Sequence, residues 1–158
     1  MAKDIIEHDI QKTFFRNASE LDIQNLLEIE EDSFTNSRLK KRQFLYLVKH
    51  GKCDFIICEY DKKVAGYAIS QFRKNSTEAR IYSIAIHSQY RKKGFGIALL
   101  KEICSCAVQR GCKSIRLEMD ISNEAGKNFY KKMGFNENGK IFNYYGNNKD
   151  AVRFKKIL

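Results

Sequence analysis

The sequence predicts a single mixed α/β domain, an antiparallel meander feeding a parallel βαβ unit in one central sheet flanked by helices. Three observations predict it. The apolar period changes from helical to strand-like near residue 53 and back to helical near residue 95. A two-glycine turn, Gly94-Phe95-Gly96, stands at the second change. The chain's 158 residues suffice for one hydrophobic core but not comfortably for two.

Thr13-Phe14-Phe15-Arg16 reads as a short first strand. Ser19 then caps a helix carrying Leu21, Ile23, Leu26, Leu27, Ile29 and Glu30. A second helix is expected from about Arg38 to His50, with Phe44, Leu45, Leu47 and Val48 inward and Gly51 just past its end. Residues 54–59 and 64–72 read as strands around the polar turn Tyr60-Asp61-Lys62-Lys63, and residues 78–86 as a third strand of the same meander. After the glycine turn, Leu99, Leu100, Ile103, Ala107 and Val108 recur at helical spacing until Gly111. Residues 114–120 return to alternation, with Ile115, Leu117 and Met119 on one face and Arg116 and Glu118 on the other. A helix is expected from about Asn123 to Met133, closed by Gly134, then polar loops and a last strand over residues 151–157. The resulting order is βααβββαβαβ, and the strands on either side of the central helix should be parallel. Residues 1–11 are set aside as an N-terminal extension, with residues 12–158 as the domain.

Composition narrows the function classes. No apolar run is long enough to span a bilayer, and residues 1–11 lack the apolar core and cleavage site of a secretory signal, so a cytoplasmic protein without membrane contact is expected. The five cysteines form an odd set without a C-x-x-C pair, which argues for reduced thiols. No metal is expected: Cys104 and Cys106 fall about 200° apart around a helix, a poor ligand geometry. The formal charge of +10 predicts attraction to polyanions, whether a phosphorylated cofactor, an RNA-rich particle or an acidic peptide. No basic repeat interleaved with aromatics marks a nucleic-acid reader, so no direct nucleic-acid contact is required.

Arg91-Lys92-Lys93-Gly94-Phe95-Gly96 is an anion cradle in sequence form. Glycines let the backbone approach a phosphate, the helix start offers unpaired N–H groups and its positive dipole end, and three cations surround the turn. A dinucleotide fingerprint would carry glycine where Leu99 stands, and a nucleotide P-loop would continue with Gly-Lys-Ser/Thr. Neither does.

The turn instead resembles motif A of the GCN5-related N-acetyltransferases, Arg/Gln-x-x-Gly-x-Gly/Ala, which Arg91, Gly94 and Gly96 match. The resemblance extends over residues 12–158. Leu117-Glu118-Met119-Asp120-Ile121-Ser122-Asn123, Ala125, Phe129-Tyr130 and Met133-Gly134-Phe135 look like the family's second half. Together with Asn143-Tyr144-Tyr145 and Asp150-Ala151, they are most similar to the RimI-type enzymes, which acetylate the N-terminal α-amine of a ribosomal protein or of other proteins. The resemblance implies an acetyl-CoA-dependent N-acetyltransferase whose acceptor is a protein or peptide N-terminus. It implies coenzyme A contacts at Ile84, Ala85 and Ile86, at Arg91, Lys92, Lys93, Gly94, Phe95, Gly96 and Ile97, and at Asn123 and Tyr130. It also implies Glu118 as general base and Tyr130 as general acid.

Elementary chemistry agrees with those roles. Acetyl transfer to an amine needs the amine neutral and a proton for the departing thiolate. Glu118, near the end of its strand, can take the first proton, and a phenol can give the second. Plainer alternatives stand beside each role: Glu118 as an ion-pair partner of Arg116 or Lys113, Tyr130 as core, Asn123 as a helix cap. Phe34-Thr35-Asn36-Ser37-Arg38 stands where RimI-type chains often carry Pro-Trp-Ser, and Ser83 stands where some relatives place an acidic base. The acceptor is therefore the open question. Its alternatives are a polyamine, an aminoglycoside or an amino acid, and the alternative to catalysis is a non-catalytic acyl-CoA-binding module.

Overall fold

The computed structural model describes residue 9 and residues 11–35 and 37–158. Residues 1–8 and 10 of the expected extension, and Asn36 of the acceptor loop, lie outside the described residues. The described elements are β1 (Thr13–Asn17), α1 (Ile23–Ser33), α2 (Lys41–His50), β2 (Cys53–Tyr60), β3 (Lys63–Phe72), β4 (Glu78–Ile86), α3 (Phe95–Gln109), β5 (Ser114–Asp120), α4 (Glu124–Lys132), β6 (Asn136–Ile141) and β7 (Ala151–Ile157). Seven strands form one sheet in the order β1-β2-β3-β4-β5-β7-β6, with β4 and β5 parallel and the other pairs antiparallel.

Alternation along the strands gives the sheet two apolar faces. One packs Ile81, Leu117 and Phe154 against Leu99, Leu100 and Ile103 of α3 and Tyr130 of α4. The other packs Phe55, Ile57, Tyr67 and Ile69 against Ile23, Leu26 and Ile29 of α1 and Phe44 of α2. Both layers bury helical stripes whose spacing is readable in the sequence.

Three elements differ from expectation. Leu21 is 91% exposed, because Glu20–Asp22 form a 3-10 turn ahead of α1 and the inward stripe begins only at Ile23. The second helix begins at Lys41 rather than Arg38: the Leu39 N–H donates to Glu30 Oε2 at 2.7 Å and the Lys40 N–H to the Gln43 side chain at 2.8 Å, which holds both residues outside the helix. β6 lies where only polar loops were expected. It is an edge strand, exposed from Asn136 to Lys140, so no buried face writes an apolar alternation into its sequence.

The β1–α1 corner is tied by charge. Arg16 donates through Nη1 and Nη2 to both oxygens of Asp22, at 2.9 and 2.8 Å, and through Nε to Glu59 at 2.9 Å. Burial by itself would raise the Asp22 pKa; the Arg16 fork and the Ser19 N–H more than offset it and hold the carboxyl below its usual value near 3.8. Because the folded-state pKa is depressed, the pair stabilises the fold above that value and the contribution is lost as pH falls through the lower one. Arg16→Gln is expected to cost about 1–3 kcal/mol near neutral pH by leaving a buried carboxylate unpaired. Thermal unfolding at several pH values should show the deficit shrinking below about pH 4; a pH-independent deficit would count against the pair as its cause.

Candidate active site

The parallel pair at the centre of the sheet is short. β4 and β5 are in register only from Glu78↔Ser114 through Arg80↔Arg116. Beyond that point β4 runs on to Ile86 and β5 to Asp120 without pairing, so the two strands part and leave a gap. The edge of β4 that includes Ile84, Ala85 and Ile86 therefore faces the gap with backbone groups that β5 does not use. Strand splitting inside a sheet exposes polar backbone, which a ligand can satisfy.

At the same end, α3 begins. Gly94 takes the left-handed conformation (φ 88°), and the first bond of the helix runs from the Ala98 N–H to Gly94 O at 3.1 Å, leaving the N–H groups of Phe95, Gly96 and Ile97 in the unpaired first turn. A methyl group placed on Gly96 would come within 3.9 Å of both the Ile86 side chain and the Phe129 ring. The end of β4, the start of α3 and α4 therefore meet at Gly96, as a phosphate-bearing chain entering the gap requires. Phe95 and Ile97 are buried, so their contribution to that site is through backbone N–H groups.

Glu118 lies at the mouth of the gap with its side chain only 4% exposed. Its Oε2 accepts from Arg80 Nε at 2.9 Å, and its Oε1 accepts from Arg116 Nη1 and from Arg153 Nε, the last at 3.3 Å. Arg80 in turn donates to the Tyr144 hydroxyl at 2.8 Å, which ties the β6–β7 loop over this end of the sheet. Tyr130 is 9% exposed, with Phe129 and Phe135 packed edge-on at 5.1 and 5.4 Å. Burial, and less so the neighbouring Cys104, pushes its pKa well up.

A split parallel pair opening onto a glycine-turn helix start decides the comparison with known proteins. Residues 23–135 match the model of the acetyltransferase (GNAT) family. The chain belongs to that family. A Bacillus subtilis protein named as a candidate ribosomal protein bS18-alanine N-acetyltransferase is 30% identical over 142 residues, which cover 89% of this chain and 93% of the relative. Human N-alpha-acetyltransferase 30 is 30% identical over 115 residues, 73% of this chain but 29% of the human protein. The crystal structure of Ard1 from Thermoplasma volcanium superposes with a TM-score of 0.85 at 26% identity, covering 93% of this chain and 98% of that one.

This protein is thus an acetyl-CoA-dependent N-acetyltransferase of the GNAT type, with RimI-type and N-alpha-acetyltransferase relatives. Acetyl-CoA supplies an acyl group activated as a thioester, and the acetyltransferase's own residues hold and orient it. Around the cradle the cations divide. Arg91 is turned back: it donates to Ile86 O at 2.9 Å, to Ser33 Oγ at 3.1 Å and to Asp32 at 3.3 Å, locking the end of β4 to the end of α1. Lys92 and Lys93 are exposed beside the turn. Asn123 caps α4, its Oδ1 accepting from the Gly126 N–H at 2.9 Å, which leaves its amide nitrogen as the available donor.

Two features of the acetyltransferase site escaped sequence reasoning. Arg80 and Arg153 join Glu118 from strands 38 and 35 residues away, and no local spacing signals that. A buried polar chain also runs from Glu30 on α1 through the Tyr67 hydroxyl to Ser83 Oγ on β4, the last link 2.8 Å. Burial raises the Glu30 pKa, with the Tyr67 hydroxyl and the Leu39 N–H acting against it. Glu30 looks in the sequence like one more residue on an amphipathic helix. Only its neighbours show that it fastens α1 to the central sheet and to the chain entering α2.

Proposed function

We propose that this enzyme transfers the acetyl group of acetyl-CoA to the N-terminal α-amine of a polypeptide, with a cytoplasmic ribosomal protein as one candidate acceptor. In this proposal the N–H groups of Phe95, Gly96 and Ile97, Lys92, Lys93 and the Asn123 amide hold the pyrophosphate end, and the free edge of β4 at Ile84–Ile86 holds the acetyl and pantetheine end. Arg91 acts by fixing the end of β4. Glu118 takes the proton from the incoming ammonium, and Tyr130 gives a proton to the departing thiolate. The phenol stays protonated throughout the working pH range, as a donor must, although burial makes its proton transfer steeper than that of a free phenol.

The observation that supports this reading is the position of Glu118, across the mouth of the gap from Arg80 and beneath Tyr144. An α-amine with a pKa near 8 gives up its proton far more readily than a lysine amine near 10.4, so less deprotonation falls to the base. The same three arginines repel polycations, which disfavours polyamines and aminoglycosides. The names of the RimI-type and N-alpha-acetyltransferase relatives point the same way.

Release of free thiol from acetyl-CoA, measured against N-terminal peptides, polyamines, aminoglycosides and amino acids, tests the reading. Peptides carrying a new acetyl group on the α-nitrogen by mass spectrometry are the expected result. Turnover confined to small amines would overturn it. Tight acetyl-CoA binding without turnover on any acceptor would support a binding module instead.

A further inference from the structure

Three arginines elsewhere each meet at least one carboxylate of their own. Arg16 faces Asp22 and Glu59, Arg110 forks onto Asp54 at 2.7 and 2.8 Å, and Arg91 reaches Asp32. Around Glu118 the ratio is inverted. Arg80, Arg116 and Arg153 share Glu118, while Arg116 and Lys155 share Glu78 at 2.8 and 2.7 Å. Four half-buried cations thus have two carboxylates between them.

Two of these four, Arg80 and Arg116, reach a cavity. A groove of about 490 Å³ opens beside the first register pairs of β4 and β5, between the end of α2 and the turn from β3 to β4. Arg80 and Arg116 line its inner end, and Arg73 and Lys52 are also in its wall; Glu78 is its one carboxylate and is already bound twice. Four of the chain's nine arginines, Arg73, Arg80, Arg116 and Arg153, line this groove or bind Glu118, the carboxylate that Arg80 and Arg116 share. Cations held in a partly desolvated concavity without matching anions create a strong local field for a negatively charged ligand. Arg80 and Arg116 already spend their fork nitrogens on Glu118, Gln71, Tyr144 and Glu78 and so contribute field, whereas the Arg73 guanidinium in the wall can grip a planar carboxylate with two parallel hydrogen bonds.

We infer that the groove selects acceptor polypeptides carrying Asp or Glu just behind the N-terminus, with their carboxylates drawn in by the field of Arg80 and Arg116 and seated on Arg73 and Lys52. This rests on the α-amine reading above. With the amine at Glu118, the second to fourth residues of an extended chain cover about 10 Å, which suits a groove that begins at the arginines holding Glu118. The apolar side chains of Leu47 and Phe72 in the wall suit a peptide better than a bare phosphate backbone.

Three peptides with Ser first and a common tail, carrying Asp-Glu-Glu, Ala-Gly-Ala or Lys-Arg-Lys at positions two to four, test the inference in two assays. By kcat/KM, the acidic peptide should exceed the neutral one by about tenfold or more, the scale of one charge-assisted contact, and the basic one by more. The advantage should shrink between low and high salt, and the double variant Arg73→Gln, Lys52→Gln should narrow the acidic-to-neutral ratio. Fluorescence anisotropy with labelled peptides measures the same preference without turnover. Equal turnover of all three peptides would overturn the groove and leave the α-amine reading intact. A binding preference for the acidic peptide without acetylation would uphold the groove and overturn the reading. Tighter binding of a single-stranded RNA oligomer than of the acidic peptide would overturn the groove as a peptide site.

Discussion

Glu118→Gln is expected to lower turnover by about 10²- to 10⁴-fold, the usual contribution of a positioned acid–base group, while acetyl-CoA affinity changes by less than about threefold. The substitution keeps the shape of the side chain and one acceptor oxygen. It removes the charge that Arg80, Arg116 and Arg153 share, so some loss of thermal stability accompanies it. A purely structural role and a base role part company at high pH. Once the acceptor α-amine, with a pKa near 8, is already neutral, the base is no longer needed, and the variant's rate should climb towards the wild-type rate as pH approaches about 9. A deficit that stays constant with pH would assign Glu118 to scaffolding, and equal activity in steady-state assays would remove it from the mechanism.

Gly94→Val should weaken acetyl-CoA binding by about 5- to 30-fold in a calorimetric titration. At φ 88° a β-branched residue is strained by roughly 1–2 kcal/mol, and relief of that strain rotates the first N–H groups of α3 away from the ligand. About 1.4 kcal/mol corresponds to each tenfold loss. Gly96→Ala provides the contrast, because its new methyl would meet Ile86 and Phe129 only at 3.9 Å, an ordinary contact. That variant stays within the motif's Gly/Ala choice at this position and should keep both its melting temperature and its affinity for acetyl-CoA. An unchanged titration for Gly94→Val would refute the cradle.

Much of this architecture is legible because burial writes itself into spacing. Ile115, Leu117 and Met119 alternate with Arg116 and Glu118, and the structure buries the first set on the α3 face and turns the second to the other. β4 and β5 are parallel, as the helix between them demands. The misses have the opposite cause. β6 is held by its pairing with β7 and by almost no burial, so hydrophobic periodicity is silent about it. Leu21 fits a helical stripe on paper, yet it sits in a 3-10 turn whose different angular step carries it outward. Nor does the basic run at Arg91 announce that its guanidinium also ties Ile86 O to Asp32.

By itself the sequence determined the family, the order of all elements but one, and the acetyl-CoA dependence that comes with the family. Those properties are local: a glycine turn, a helix start and a short strand motif carry them within contiguous residues. Tertiary structure alone decided what surrounds Glu118. Arg80, Arg116, Glu118 and Arg153 come from three strands, and Tyr144 from a loop, before they form one charged surface. The gap between β4 and β5 likewise exists only because two strands pair for three residues and then diverge. Electrostatic fields depend on distance through space and not along the chain, so the excess of arginine at the groove appears only once the sheet has assembled.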